Sequence, residues 1–122
     1  MGRLTEYREM IAEEVVPAML EFLEDEEEAS ATRADVRKCE RILKEYLKAL
    51  ERLKHPSDSD ILEQVKACVL ALNELNESTG DALIETGERE AIWEVIQGAA
   101  VESGLQNAEE DITEQWREWW QL

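Results

Sequence analysis

Residues 36–75, VRKCERILKEYLKALERLKHPSDSDILEQVKACVLALNEL, decide the fold. Val36, Cys39, Leu43, Tyr46, Leu50 and Leu53 recur at alternating steps of three and four, an apolar stripe along one side of a helix, thickened by Ile42 and Leu47. Ile61, Val65, Cys68, Leu72 and Leu75 repeat the pattern, thickened by Leu62 and Val69. Between the two stripes lies His55-Pro56-Ser57-Asp58-Ser59-Asp60, in which Pro56 stops the first helix and Ser57 or Asp58 can cap the second. A join this short folds two amphipathic helices back on each other. The spacing predicts an antiparallel hairpin of residues 32–54 and 58–77.

On the N-terminal side, Leu4, Tyr7, Ile11, Val15, Ala18, Met19 and Phe22 continue a helical pattern interrupted by Pro17. A proline inside a helix removes a hydrogen bond and clashes with the preceding turn. The segment should therefore kink near Glu13–Pro17, or divide with Pro17 in the first turn of a second helix. The acidic run Glu24-Asp25-Glu26-Glu27-Glu28 follows, at a helix C-terminus whose dipole favours cations. It should fray there or be neutralised by basic neighbours.

On the C-terminal side, Asn73 to Thr86 is the least regular part, with turns at Gly80 and Gly87 and a capping residue in Thr86. Ile92, Val95, Ile96 and Ala99 form the inward stripe of the next helix, and Gly104 can end it. Its small patch Gly98-Ala99-Ala100 would admit the close approach of another backbone. Asn107 with Glu110, or Asp111 with Glu114, can cap a last helix carrying Ile112, Trp116, Trp119 and Trp120. No internal repeat and no low-complexity linker divides the chain. The reading is one all-α domain, residues 1–122, a bundle of four to five helices around the hairpin.

Composition agrees. The 122 residues include 30 acids and 13 Lys or Arg, for a net charge of −17, with only 5 Gly and 2 Pro. Most of the acids are Glu, a good helix former. Such a composition excludes a β-sandwich, a collagen-like chain and a disulfide-dense secreted module, and the 43% hydrophobic content is above that of a disordered chain. No apolar run is long enough to cross a bilayer. The N-terminus turns acidic before any signal-peptide core, and Glu6 stands where an N-myristoylation signal requires Ser or Thr. Two cysteines suit a reducing compartment, so a cytoplasmic location is expected.

The charge is uneven. Residues 30–56 are net basic, and every other part of the chain is acidic. The simplest expectation is that the basic helix lies beside acidic neighbours. A body this acidic is unsuited to nucleic acid. Cys39 and Cys68 fall on core positions of the hairpin. Measured from Pro56 they are offset by five residues, about 7 Å of helix rise, so they should be buried thiols and not a disulfide.

No catalytic, cofactor-binding or metal site stands out. A di-iron bundle needs Glu-x-x-His, and the residue three before the sole histidine, His55, is Arg52. A magnesium-dependent nucleotide hydrolase of the all-α type needs ExxE facing ExxD. Glu6/Glu9, Glu21/Glu24 and Glu85/Glu88 have the first spacing, but no Asp has Glu three places before it. That enzyme is the alternative reading. The tail Trp116-Arg117-Glu118-Trp119-Trp120 places Trp116 and Trp120 on one side of a helix, closing the bundle or offering a partner or dimer surface.

Leu72-Asn73-Glu74-Leu75-Asn76-Glu77, Leu83-Ile84-Glu85-Thr86-Gly87-Glu88-Arg89-Glu90 and Asp111-Ile112-Thr113-Glu114-Gln115-Trp116-Arg117-Glu118-Trp119 resemble a family of small, acidic, uncharacterised bacterial helical proteins. The resemblance covers Val65 to Trp119, about half the chain. It implies a bacterial, cytoplasmic, helical protein and supplies no reaction. Within these motifs Asn73, Asn76, Glu77, Glu85, Thr86 and Arg89 have structural explanations: amides near a helix end, a cap, and charges at a helix N-terminus.

The expected function is a non-enzymatic interaction protein without a cofactor, an immunity- or antitoxin-like inhibitor of a basic protein. Its contact residues would be Glu24, Asp25, Glu26, Glu27 and Glu28 together with Trp116, Trp119 and Trp120. A self-assembling module, a homodimer through Trp119 or Trp120, is the third reading.

Overall fold

A computed structural model describes residues 4–25, 33–79 and 86–104. Among these residues all regular structure is helical: α1 (Thr5–Met10), a π-helical turn (Ile11–Val15), α2 (Val16–Asp25), α3 (Arg33–Arg52), α4 (Asp58–Ser78) and α5 (Thr86–Glu102). The chain is an all-α helical bundle, as the periodicity predicts. The expected last helix lies outside the described residues.

The first three elements form one rod, since the backbone stays right-handed helical at Ile11 and Val16, the junctions flanking the π turn. The Val16 N–H reaches back five residues to the Ile11 carbonyl. This widened turn sits immediately before Pro17, which has no N–H to donate and would crowd the preceding turn of a regular helix. Of the two expectations for this segment the second is met: Pro17 stands in the first turn of α2, set off from α1 by the π turn over residues 11–15.

The hairpin lies within two residues of its predicted bounds. Ser57 caps α4 in a reciprocal capping box: its hydroxyl accepts from the Asp60 N–H at 3.2 Å, and the Asp60 carboxylate accepts from the Ser57 N–H at 3.0 Å. His55 takes a φ of 50° in the turn, left-handed space that few residues other than glycine enter.

The core is the one the stripes foretell. Val36, Cys39, Leu43, Tyr46, Leu47 and Leu50 of α3 are buried against Ile61, Val65, Cys68, Val69, Leu72 and Leu75 of α4. Leu4, Ile11, Val15, Val16 and Met19 of the first rod and Ile92, Val95, Ile96, Ala99 and Ala100 of α5 complete it. Leu53 is half-buried at its edge.

Two contacts tie the rods together. The Tyr46 hydroxyl donates to the Ile96 carbonyl at 2.8 Å, joining α3 to α5 through the buried interior. The Tyr7 ring covers Gly98 so closely that a Cβ built there would lie 2.5 to 2.8 Å from three of its atoms. The small patch on α5 therefore admits an aromatic ring, where the sequence suggested a backbone. Gly104, with φ 114°, lies just past the end of α5, as expected.

Candidate functional site

Basic α3 packs against acidic α4 and the acidic first rod, as the sequence suggested. Three of its cations are seen to meet acids of their own helix: Arg37 with Glu40 at 3.3 Å, Lys44 with Glu40 at 3.7 Å and Lys38 with Asp35 at 4.0 Å. Between the described residues of the first rod and α3 an ion pair runs the opposite way, the carboxylate of Glu51 on basic α3 holding the guanidinium of Arg8 on the acidic rod. That pair uses both carboxylate oxygens, with Arg8 Nη1 2.9 Å from Glu51 Oε2. The same oxygen accepts from the Leu4 N–H at 3.4 Å, a cap for α1 supplied from α3. The hydrogen bond from Arg8 to Glu51 raises the pKa of Arg8 above its ordinary value.

Glu6, Glu9, Glu13, Glu14 and Glu21 of the first rod are thus left exposed and form no ion pair among the described residues. The run Glu24–Glu28 lies outside the described side chains, so its contact with the basic helix does too. Glu90 and Glu94 of α5 are exposed as well, beside Trp93, which is 39% exposed.

The outer face of the hairpin carries a shallow apolar furrow between α3 and α4. One opening, about 410 Å³, lies over Tyr46 and Cys68, and a second, about 380 Å³, continues it toward Lys38 and Ser78. The two share Arg41, Ile42 and Ala71. Nearby on α4, Leu70 is 45% exposed.

Cys39 and Cys68 are buried free thiols, as expected. Burial, with a smaller contribution from Glu40, pushes the Cys39 thiol up to about 12. Burial and then the proximity of Cys39 push Cys68 up as well. Tyr46 is raised far above its ordinary value by its own burial and then by Cys68. Thiols held in the neutral form are poor nucleophiles and poor metal ligands.

Among the described residues no group of three His, Cys, Asp or Glu side chains could hold a metal ion. Glu6 and Glu9, one of the ExxE pairs, are exposed on the first rod. Of the motif residues, Asn73 and Asn76 are more deeply buried than their chemistry suggests, at 5% and 3% exposure inside α4. The Asn76 carbonyl accepts from both the backbone N–H and the hydroxyl of Thr79, ending the helix. Glu77 is exposed, and Arg89 has a buried Nε without a hydrogen-bond partner. α5 begins at Thr86 itself. Glu85 and the tail tryptophans Trp116, Trp119 and Trp120 lie outside the described residues.

The furrow is the feature that sequence reasoning missed. Ala67, Leu70, Ala71 and Glu74 recur at helical spacing on the outside of α4, a mixed pattern that reads as a solvated surface. No known family, curated protein or solved structure matches the chain.

Proposed function

We propose that the chain is a non-enzymatic acidic interaction protein that engages a basic protein partner, in the manner of an immunity- or antitoxin-like inhibitor. The observation that supports this reading is the set of exposed acids on the first rod that form no ion pair among the described residues. Glu6, Glu9, Glu13, Glu14 and Glu21 stand on a rod whose only described interhelical ion pair is made by its arginine. Clustered carboxylates of this kind attract a cationic protein over a distance and accelerate its association. A bacterial cytoplasm is part of the same proposal. No helix among the described residues is long and apolar enough to cross a membrane.

The test immobilises the full chain and passes over it a panel of strongly basic ribonucleases and deoxyribonucleases at rising salt. A variant with Gln at positions 6, 9, 13, 14 and 21 serves as the control. The expected result is a complex whose association rate falls steeply with salt and falls again in the Gln variant. Absence of binding across the panel, or binding indifferent to the five substitutions, overturns the reading.

A further inference from the structure

We propose that the outer face of the α3–α4 hairpin is a homodimer interface, on which a second copy seats the same face about a two-fold axis parallel to the helices. The inference rests on the furrow and on the distribution of charge across it, and not on the basic-partner reading.

The face is electrically lopsided. α3 carries seven cations and four acids, and α4 carries five acids and one cation. Arg37, Arg41, Lys44 and Lys48 are exposed on the α3 side, and Glu63, Glu74 and Glu77 on the α4 side. Two copies can meet face to face about an axis across the helices or about one along them. The first stacks α3 on α3, cation on cation. The second lays each α3 over the partner copy's α4, cation on acid. On a body of net charge −17, whose other described helices are acidic, this is the face on which two copies attract.

The levels of the charges also agree. The lining of the furrow gives the internal alignment of the hairpin: Lys38, Arg41 and Ile42 of α3 share one opening with Ala71, Glu74 and Ser78 of α4, and Glu45 and Ala49 share the other with Gln64 and Ala67. A two-fold axis along the helices preserves height, so each α3 residue meets the residue of the second copy that stands level with it on α4. Arg41 then meets Glu74, both in the lining of one opening, with Arg37 and Glu77 toward the same end of the hairpin and Lys48 and Glu63 toward the other. Each helix has one exposed charge of the opposite sign in this stretch, Glu45 on α3 and Lys66 on α4.

Packing fits the same arrangement. Leu70, 45% exposed, and Ile42, half-buried in the furrow, supply apolar surface, and small Ala67 and Ala71 leave room for close approach. Helices of 20 and 21 residues are about 30 Å long and together about 20 Å wide. The face therefore offers roughly 600 Å² per copy, about 1,200 Å² in all, the lower bound for a specific interface. The expected product is a reversible dimer whose exterior is almost uniformly acidic.

Sedimentation equilibrium of the full chain, at concentrations up to about 1 mM, tests this. The wild type should show a monomer–dimer equilibrium. Arg41→Glu and Glu74→Lys should each weaken association at least about tenfold, because each places like charges opposite one another twice in the dimer. The double variant Arg41→Glu/Glu74→Lys should restore it. Both sites are exposed, and circular dichroism confirms that each variant is folded. A wild type that stays monomeric, a dimer that survives both single substitutions, or a double variant that is no better than the singles overturns the proposal.

Discussion

Glu51, an acid on the basic helix, holds Arg8, the described cation of the acidic rod, in a two-pronged pair that also caps the first helix at Leu4. The pair fixes where the N-terminal rod lies on the hairpin. Its side chains are 30% and 20% exposed, so solvent screens it in part. Glu51→Ala should cost about 1–2 kcal/mol, from the lost charge-assisted hydrogen bonds and the lost cap. In a double-mutant cycle with Arg8→Ala, urea denaturation should show a coupling of about 0.5–1 kcal/mol. Additive effects would mean that the pair contributes nothing.

Gly98 lies inside α5, about one turn before its end, where alanine ordinarily stabilises a helix by about 1 kcal/mol. Here the Tyr7 ring occupies the place of the missing methyl. Gly98→Ala should displace the ring and forfeit that gain, leaving stability unchanged or lower. In a Tyr7→Ala background the same substitution should recover the full gain. The two backgrounds should therefore differ by at least about 1 kcal/mol in chemical denaturation.

Tyr46→Phe removes the hydroxyl that reaches Ile96 and leaves the ring in place. The Ile96 carbonyl keeps its position in the hydrogen-bond ladder of α5, so no acceptor is stranded. The cost should be about 1 kcal/mol, read as a lower urea midpoint with an unchanged slope. A cost near zero would show that the hydroxyl finds water equally well in the unfolded chain.

What could be read in the sequence follows the range of the forces involved. The hairpin is specified locally, by apolar residues every three or four positions and by Pro56 and Ser57 at the turn, so its bounds and core follow from spacing. Pro17 announces an interruption, but its chemistry is equally compatible with a kink or a new helix, and only the packed chain selects the π turn. Arg8 and Glu51 lie 43 residues apart, and nothing in either neighbourhood nominates the other. Segment charge has a related limit. It says which helices attract, and α3 does lie among acidic neighbours, but the ion pairs depend on individual side chains, and three of those described on α3 lie within the helix. The furrow was hidden because alanines and charges at helical spacing have the same pattern whether they face water or a second molecule.

Cys39 and Cys68 make the core sensitive to alkali. Burial raises Cys39 from an ordinary value near 9 to about 12 and moves Cys68 in the same direction. A group whose pKa is raised by folding stabilises the native state below its unfolded pKa, and that stability is lost as pH climbs toward the folded value. Stability should thus be insensitive to the thiols below about pH 9 and fall above it, by about 1.4 kcal/mol per pH unit for each thiol. Tyr46, raised in the same sense, adds to the slope above its ordinary value of 10. Alanine at both cysteines alters packing at every pH, so the slope is the informative quantity. Between about pH 9 and 10, urea titrations of Cys39→Ala/Cys68→Ala should show a slope shallower by up to about 2.7 kcal/mol per unit. The same burial should keep both thiols from reacting with a disulfide reagent at neutral pH until the chain unfolds. Fast labelling of the native protein, or an unaltered alkaline slope in the double variant, would mean that the thiols are not held neutral in the core.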